Sequence, residues 1–248
     1  MSLSLGYASY AITTPSRPTS PEGIARDSQF YCDHIVFLVE NRLFKVPKHR
    51  FANKSKVFED MFALPPGDAT TAEGESDDKP VRLYGIGKEE FRALLRVIHH
   101  APSYEEAEEP TMEDWISVLK LTTMWEFASL RRIAIDKLTP LVKTEVDPVR
   151  WVCLARRHNV PEWVFPSLHA LARRIQALQP DEVEPLGIAT VLRMAQVRES
   201  YQGCKVDYAH TGGKQFDQYH SRVSQLEYDF TAVIRHVFKE ELEGYNAY

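Results

Sequence analysis

Apolar and polar positions along residues 34–46 follow the pattern of a hairpin. In HIVFLVENRLFKV, Ile35, Phe37 and Val39 share one face of an extended strand, while Val36 and Leu38 share the other. Both faces are apolar, which predicts a strand covered on both sides. Glu40-Asn41 supplies a tight turn, and Arg42 to Val46 returns as the partner strand. From about Lys48 the period lengthens. Phe51, Val57, Phe58, Met61 and Phe62 fall near one helical stripe, which Pro65-Pro66-Gly67 ends. PVRLYGI, starting at Pro80, predicts a short third strand with Val81 and Leu83 inward. Lys88 to His99 predicts a helix presenting Phe91, Leu94, Leu95 and Ile98. Two acidic stretches, residues 68–79 and Glu105 to Glu109, read as solvated loops.

From Met112 the pattern is helical almost throughout. Trp115, Val118, Leu119, Thr122 and Trp125 or Phe127 mark one helix, and Leu130, Ile133, Ala134, Leu138 and Leu141 a second. Asp147-Pro148, a cap followed by proline in the first turn, opens a helix to His158 with Trp151, Val152, Leu154 and Ala155 facing a core. After a break at Val160-Pro161, Val164, Leu168, Leu171, Ala172 and Ile175 continue the period until Gln179-Pro180. Pro185 to Arg198 is a further helix. Gly203 and Gly212-Gly213 make residues 201–214 read as a linker. Beyond it, Phe216, Tyr219, Val223, Leu226, Phe230, Val233 and Val237 are spaced alternately by three and four. That spacing fits a long helix over 215–243 packed on the preceding helices, or a coiled coil that self-associates. Aromatic residues at three of the seven seam positions weigh against a tight two-stranded coil. Residues 1–27, rich in Ser, Thr and Pro, read as a flexible leader in which Tyr7 and Tyr10 are candidate anchors of an added edge strand.

Composition narrows the class. The 248 residues suffice for one large domain or two small ones, and 44% hydrophobic with 26% charged residues is the balance of a soluble globular protein. A net charge of -5 creates no field that would collect nucleic acid or an anionic membrane, so direct nucleic-acid binding is disfavoured. No apolar run approaches the roughly 20 residues needed to cross a bilayer, and MSLSLGYASYAITTPSRP lacks the basic start and apolar core of a signal peptide. Cys32, Cys153 and Cys204 are too scattered for a disulfide framework or a C-x-x-C knuckle, so a reducing compartment is expected: cytoplasm, nucleus or both.

Catalytic chemistry finds little support. Among nine histidines there is no H-E-x-x-H arrangement, and Cys153 with His158 lacks the second pair that tetrahedral zinc requires. Cys153, between Val152 and Leu154, reads as a buried small apolar residue. Cys204, near His210 in the glycine-bearing stretch, is the better placed thiol for reactivity. Gly85-x-Gly87 is too short for a phosphate loop. No catalytic residue, cofactor or metal is therefore expected. Cations cluster at Arg42, Lys45, Lys48, Arg50, Lys54 and Lys56, and recur as Arg131-Arg132, Arg156-Arg157 and Arg173-Arg174. They fit solvated faces opposite the apolar stripes, a groove for an acidic peptide or phosphate, or, against the absence of any known DNA-reading motif, DNA contact.

The run CDHIVFLVENRLFKVPKHRFANKSKVFEDMF, residues 32–62, resembles the opening of a BTB/POZ domain. The shared features are the acidic Asp33 before the hairpin, the turn Lys48-His49, Ser55, and the V-F-x-x-M-F signature from Val57 to Phe62. PVRLYGIGKEEFRALLRVI resembles the following strand and helix, although Gly85-Ile86-Gly87 replaces the family's usual aspartate. WISVLKLTTMWEFASLRRIAIDKLTPL, VRWVCLARRHNVPEW and VLRMAQVRES extend the likeness over about residues 30–200. The layout is similar to BTB proteins common in mushroom-forming fungi, whose extra helices are comparable with a BACK domain.

The resemblance implies an α+β BTB/POZ fold, a small buried sheet with helical hairpins, followed by an all-α extension. It divides the chain into a leader (1–27), a BTB/POZ domain (28–126), a BACK-like extension (127–200), a linker (201–214) and a C-terminal helix (215–243). It implies a non-enzymatic protein that pairs with itself or a related BTB chain, as a scaffold or regulator. The implied interaction residues are Phe30, Tyr31, Asp33, His49, Phe51, Phe58 and Phe62, with Tyr7 to Ile12 as a candidate swapped strand. A cullin-type ubiquitin-ligase adaptor is an alternative, as is a transcriptional regulator recruiting a corepressor. Cullin-binding members carry a hydrophobic-x-acidic element where this chain has Ala63-Leu64-Pro65-Pro66-Gly67, and kelch or MATH modules are missing.

Overall fold

The hairpin forms where the alternation placed it. Strands β1 (His34–Val39) and β2 (Arg42–Pro47) pair antiparallel, with Phe37 opposite Phe44 and Val39 opposite Arg42. Glu40 takes a positive φ of 52° to turn the chain. A third strand, β3 (Val81–Leu83), runs parallel to β1 on its other side, giving the order β2-β1-β3. The computed structural model describes residues 27, 31–64, 73–99, 109–144, 146–210 and 224–245. Ile35, Phe37 and Val39 enter the core from one face of β1, and Val36 is buried on the other. The Val36 N–H donates to the Gly74 carbonyl at 2.8 Å, so the turn before β3 is tied to the edge of β1 away from β2. Gly74 has φ +89°, and a Cβ there would lie 2.7 Å from Ile35 Cγ1.

The stripe beginning near Lys48 is two helices, α1 (His49–Ala52) and α2 (Lys56–Ala63). Ser55 causes the restart: its hydroxyl accepts from the Phe58 N–H at 3.2 Å and donates to the Trp125 carbonyl. Val57 consequently turns outward. Helices α3 (Lys88–Ile98) and α4 (Met112–Met124) follow, α4 opening on a reciprocal Thr111–Asp114 cap. Lys120 bonds Glu90 at 2.7 Å and Arg96 reaches Asp114 at 3.5 Å, which makes α3 and α4 antiparallel.

Among the described residues seven helices follow: α5 (Ala128–Val142), α6 (Pro148–Arg157), α7 (Pro161–Arg173), α8 (Pro180–Leu186), α9 (Ile188–His210), α10 (Thr231–Val237) and α11 (Lys239–Gly244). Asp147 caps α6 by accepting from the Arg150 N–H at 3.1 Å. The four residues expected inward on α6 are all buried, as are Val164, Leu168, Leu171 and Ala172 on α7. Ile133 and Ile175, expected inward, are exposed; α7 ends at Arg173, short of Ile175.

Three expectations for the tail need correcting. The helix expected from Pro185 is divided, because Gly187 adopts φ +79° and separates α8 from α9. The linker expected from 201 is helical to His210, since one interior glycine costs a helix only about 1 kcal/mol. The single helix expected over 215–243 is instead a turn from Ser224 followed by α10 and α11. Phe230 leaves the seam and packs on Tyr201 together with Tyr228, at ring separations of 6.4 and 5.3 Å. Phe216, Tyr219 and Val223 lie outside the described residues.

One apolar core runs from the sheet to the C-terminal helices. At the sheet end, Phe37 touches Phe51, Phe58 and Phe91 at centroid distances of 5.2 to 5.7 Å. At the helical end, Trp151 and Trp163 meet edge to face at 5.5 Å, and the Trp163 indole N–H donates to Thr139 Oγ1 at 2.9 Å. Each fully buried ring of this kind contributes roughly 1.5–3 kcal/mol relative to exposure.

Candidate protein-interaction face

The base of the hairpin builds an open cleft. The Lys48 N–H donates to the Asp33 carbonyl at 2.8 Å, closing the β1–β2 pair beyond His34 and Pro47. That bond draws the segment before β1 against the start of α1. Tyr31, Cys32, Asp33, Lys48, His49, Ala52 and Asn53 line the resulting cleft. Tyr31 is 57% exposed, and Asp33 and His49 are exposed beside it. Lys48 lays its ammonium 4.6 Å from the centre of the Phe62 ring, a cation–π contact that leaves Phe62 half-buried. The exposed Leu64 ends α2.

The structure divides the seven expected interaction residues. Tyr31, Asp33 and His49 come together in the cleft. Phe62 rests on Phe58, with ring centres 5.9 Å apart. Phe51 and Phe58 are 0% and 2% exposed, so they belong to the core and meet no partner directly. The Phe37 and Phe91 rings enclose them, a packing that a helical stripe alone does not distinguish from an interface. Asp33 accepts here through its backbone carbonyl. Phe30 and Tyr7 to Ile12 lie outside the described residues.

Two further surfaces escaped the pattern reading. Tyr84, 83% exposed, stands at the β3 end with Leu38, Arg82 and Leu83 around a shallow hollow. Phe165 lines a groove with Arg235, Lys239, Leu242 and Tyr245. The available signal was Phe165 itself, a large apolar residue next to the core positions Trp163 and Val164 but off their stripe.

Titratable groups in the tail are placed for structure. His158 is 5% exposed, and burial, with Arg157 and Arg131 nearby, lowers its pKa to about 4. Cys153 is half-buried; its thiol donates to the Pro185 carbonyl at 3.3 Å, and burial pushes its pKa up, so it stays protonated at neutral pH. The side chains of Cys204 and His210 lie outside the described residues. Among the described residues, no three His, Cys, Asp or Glu side chains converge as a metal site, and no helix is long and apolar enough to cross a membrane.

Comparison with curated proteins gives no match. Residues 25–140 match the family model of the BTB/POZ domain, and the three-stranded sheet, the aromatic core and α1 to α4 lie within that span. The chain thus carries a BTB/POZ domain, a non-catalytic module through which proteins join one another.

Proposed function

We propose that this chain is a homodimerising scaffold or regulator that pairs with itself or a related BTB chain. In this reading residues 28–126 are the BTB/POZ domain and residues 127–200 a BACK-like extension, a layout similar to that of the mushroom-forming fungi. The supporting observation is the cleft at the hairpin base, where exposed Tyr31 stands beside half-buried Phe62 on the rigid aromatic core. A paired surface needs an aromatic anchor on a firm support, and this is where the molecule offers one.

The adaptor reading keeps one observation in its favour. Leu64 is 71% exposed at the end of α2, where cullin-binding members carry their hydrophobic element. Light scattering of the full chain across a concentration series tests the main reading. A dimer that Tyr31→Glu shifts toward monomer by tenfold or more in concentration is expected. A wild-type chain that stays monomeric at high micromolar concentration would rule it out. Capture of a cullin by that monomer would then establish the adaptor.

A further inference from the structure

Arg50 and Lys54, beside Lys48 on α1 and its closing turn, have no place in the reading above. From Arg42 to Ser55 the chain has no acidic residue, although its net charge is -5. Several cations elsewhere find partners, Arg92 with Glu89, Arg150 with Glu113 and Arg174 with Glu182, and those without one among the described residues, such as Lys137, do not gather as Arg50 and Lys54 do around His99. Among the described residues, Lys48, Arg50 and Lys54 make no ion pair, and Lys48 has only the Phe62 ring. Arg50 and Lys54 are exposed and four residues apart, so they project from the same side of α1 and its closing turn. His99, at the end of α3, lies beneath them. Burial, followed by the charges of Arg50, Lys54 and His49, pushes its pKa down. Its Nε2 is shielded from solvent and has no hydrogen-bond partner among the described residues.

We propose that this basic pole, Lys48, Arg50 and Lys54 over His99, is a docking site for an acidic peptide segment of a partner protein. Three cations without an ion pair among the described residues, Arg50 and Lys54 exposed and Lys48 half-buried, present a positive field with no ion pair that must first be broken. Charge favours a peptide over a nucleic-acid duplex. The chain carries a net charge of -5, and the turn from Glu73 to Asp78 exposes four carboxylates, so the positive field is confined to this pole and a duplex with its long run of phosphates gains little from it. A single extended peptide can follow α1 alone. The proposal concerns a hetero-partner; Lys48 is shared with the neighbouring cleft, so the test rests on Arg50 and Lys54, which do not line it.

Fluorescence anisotropy with a labelled decapeptide of alternating Glu and Ala, titrated with the full chain, tests it. Saturable binding is expected at low salt, weakening as salt rises. Arg50→Glu with Lys54→Glu should weaken it at least tenfold, while Lys137→Glu on α5 should change it less than twofold. Circular dichroism and the light-scattering mass confirm that each variant keeps its fold and oligomeric state. Absence of saturable binding, or equal binding by the double variant, would overturn the proposal. So would tighter binding of a duplex oligonucleotide of matched charge, which would reassign the pole to nucleic acid.

Discussion

A single buried imidazole makes the stability of this protein depend on pH. His158 closes α6 with its ring inside the core, held neutral by burial and by Arg157 and Arg131, at a pKa of about 4. The unfolded chain returns it to about 6.5, so below that pH the unfolded state binds a proton that the folded state refuses. The neutral-state stability is fully present above about pH 6.5 and declines as pH falls toward 4, by about 3 kcal/mol. His99, also lowered by burial, acts in the same direction. His158→Gln is expected to flatten this acid limb of a melting-temperature profile. An unchanged slope in the variant would mean that other groups set it. The burial of His158 was not visible beforehand: a histidine in an apolar stretch reads alike whether its ring points into a core or out to water.

At the scale of elements, the clamp between α6 and α11 holds the tail closed. Arg156 Nε and Nη2 bind the two Glu241 carboxylate oxygens at 2.8 and 2.9 Å, and Nη1 reaches Thr190 Oγ1 at 2.9 Å. Phe230, Ile234 and Phe238 are fully buried beside it. Arg156→Met would leave Glu241, 17% exposed, without its counter-charge. A loss of about 1–3 kcal/mol is expected, with faster hydrogen exchange in α10 and α11 than in the sheet. Uniform exchange changes across the molecule would contradict a local clamp. The elements read correctly from sequence are those with local signals: the turn at Glu40-Asn41, the cap at Asp147-Pro148 and the alternation of β1. The breaks at Gly187 and before Thr231 were misread because apolar periodicity records which residues seek burial, not which surface buries them. The same blindness put Phe51 and Phe58, which are buried in the core, on the candidate face, while Tyr31 and His49 are exposed.

For the molecule as a whole, α5 joins the sheet half to the helical half. Phe127 at its start lies 5.9 Å from Phe51 and from Phe58, whereas Arg131 donates to the carbonyls of His158 and Asn159 at 2.9 and 2.7 Å. One helix thus supports both ends of a continuous core. Calorimetry is expected to show one transition with matching calorimetric and van't Hoff enthalpies. Two resolved transitions would mean that the tail from residue 127 folds as its own domain. The clamp also has a consequence in time. Tyr201 and Glu241 are about forty residues apart, so at 5–20 residues per second a ribosome needs roughly two to eight seconds to pass from one to the other. Throughout that interval α7 and α9 are synthesised while the aromatic segment that packs on both is not. The nascent chain therefore offers a greasy seam to chaperones, and to neighbouring copies on the same message, until Phe230 and Phe238 arrive.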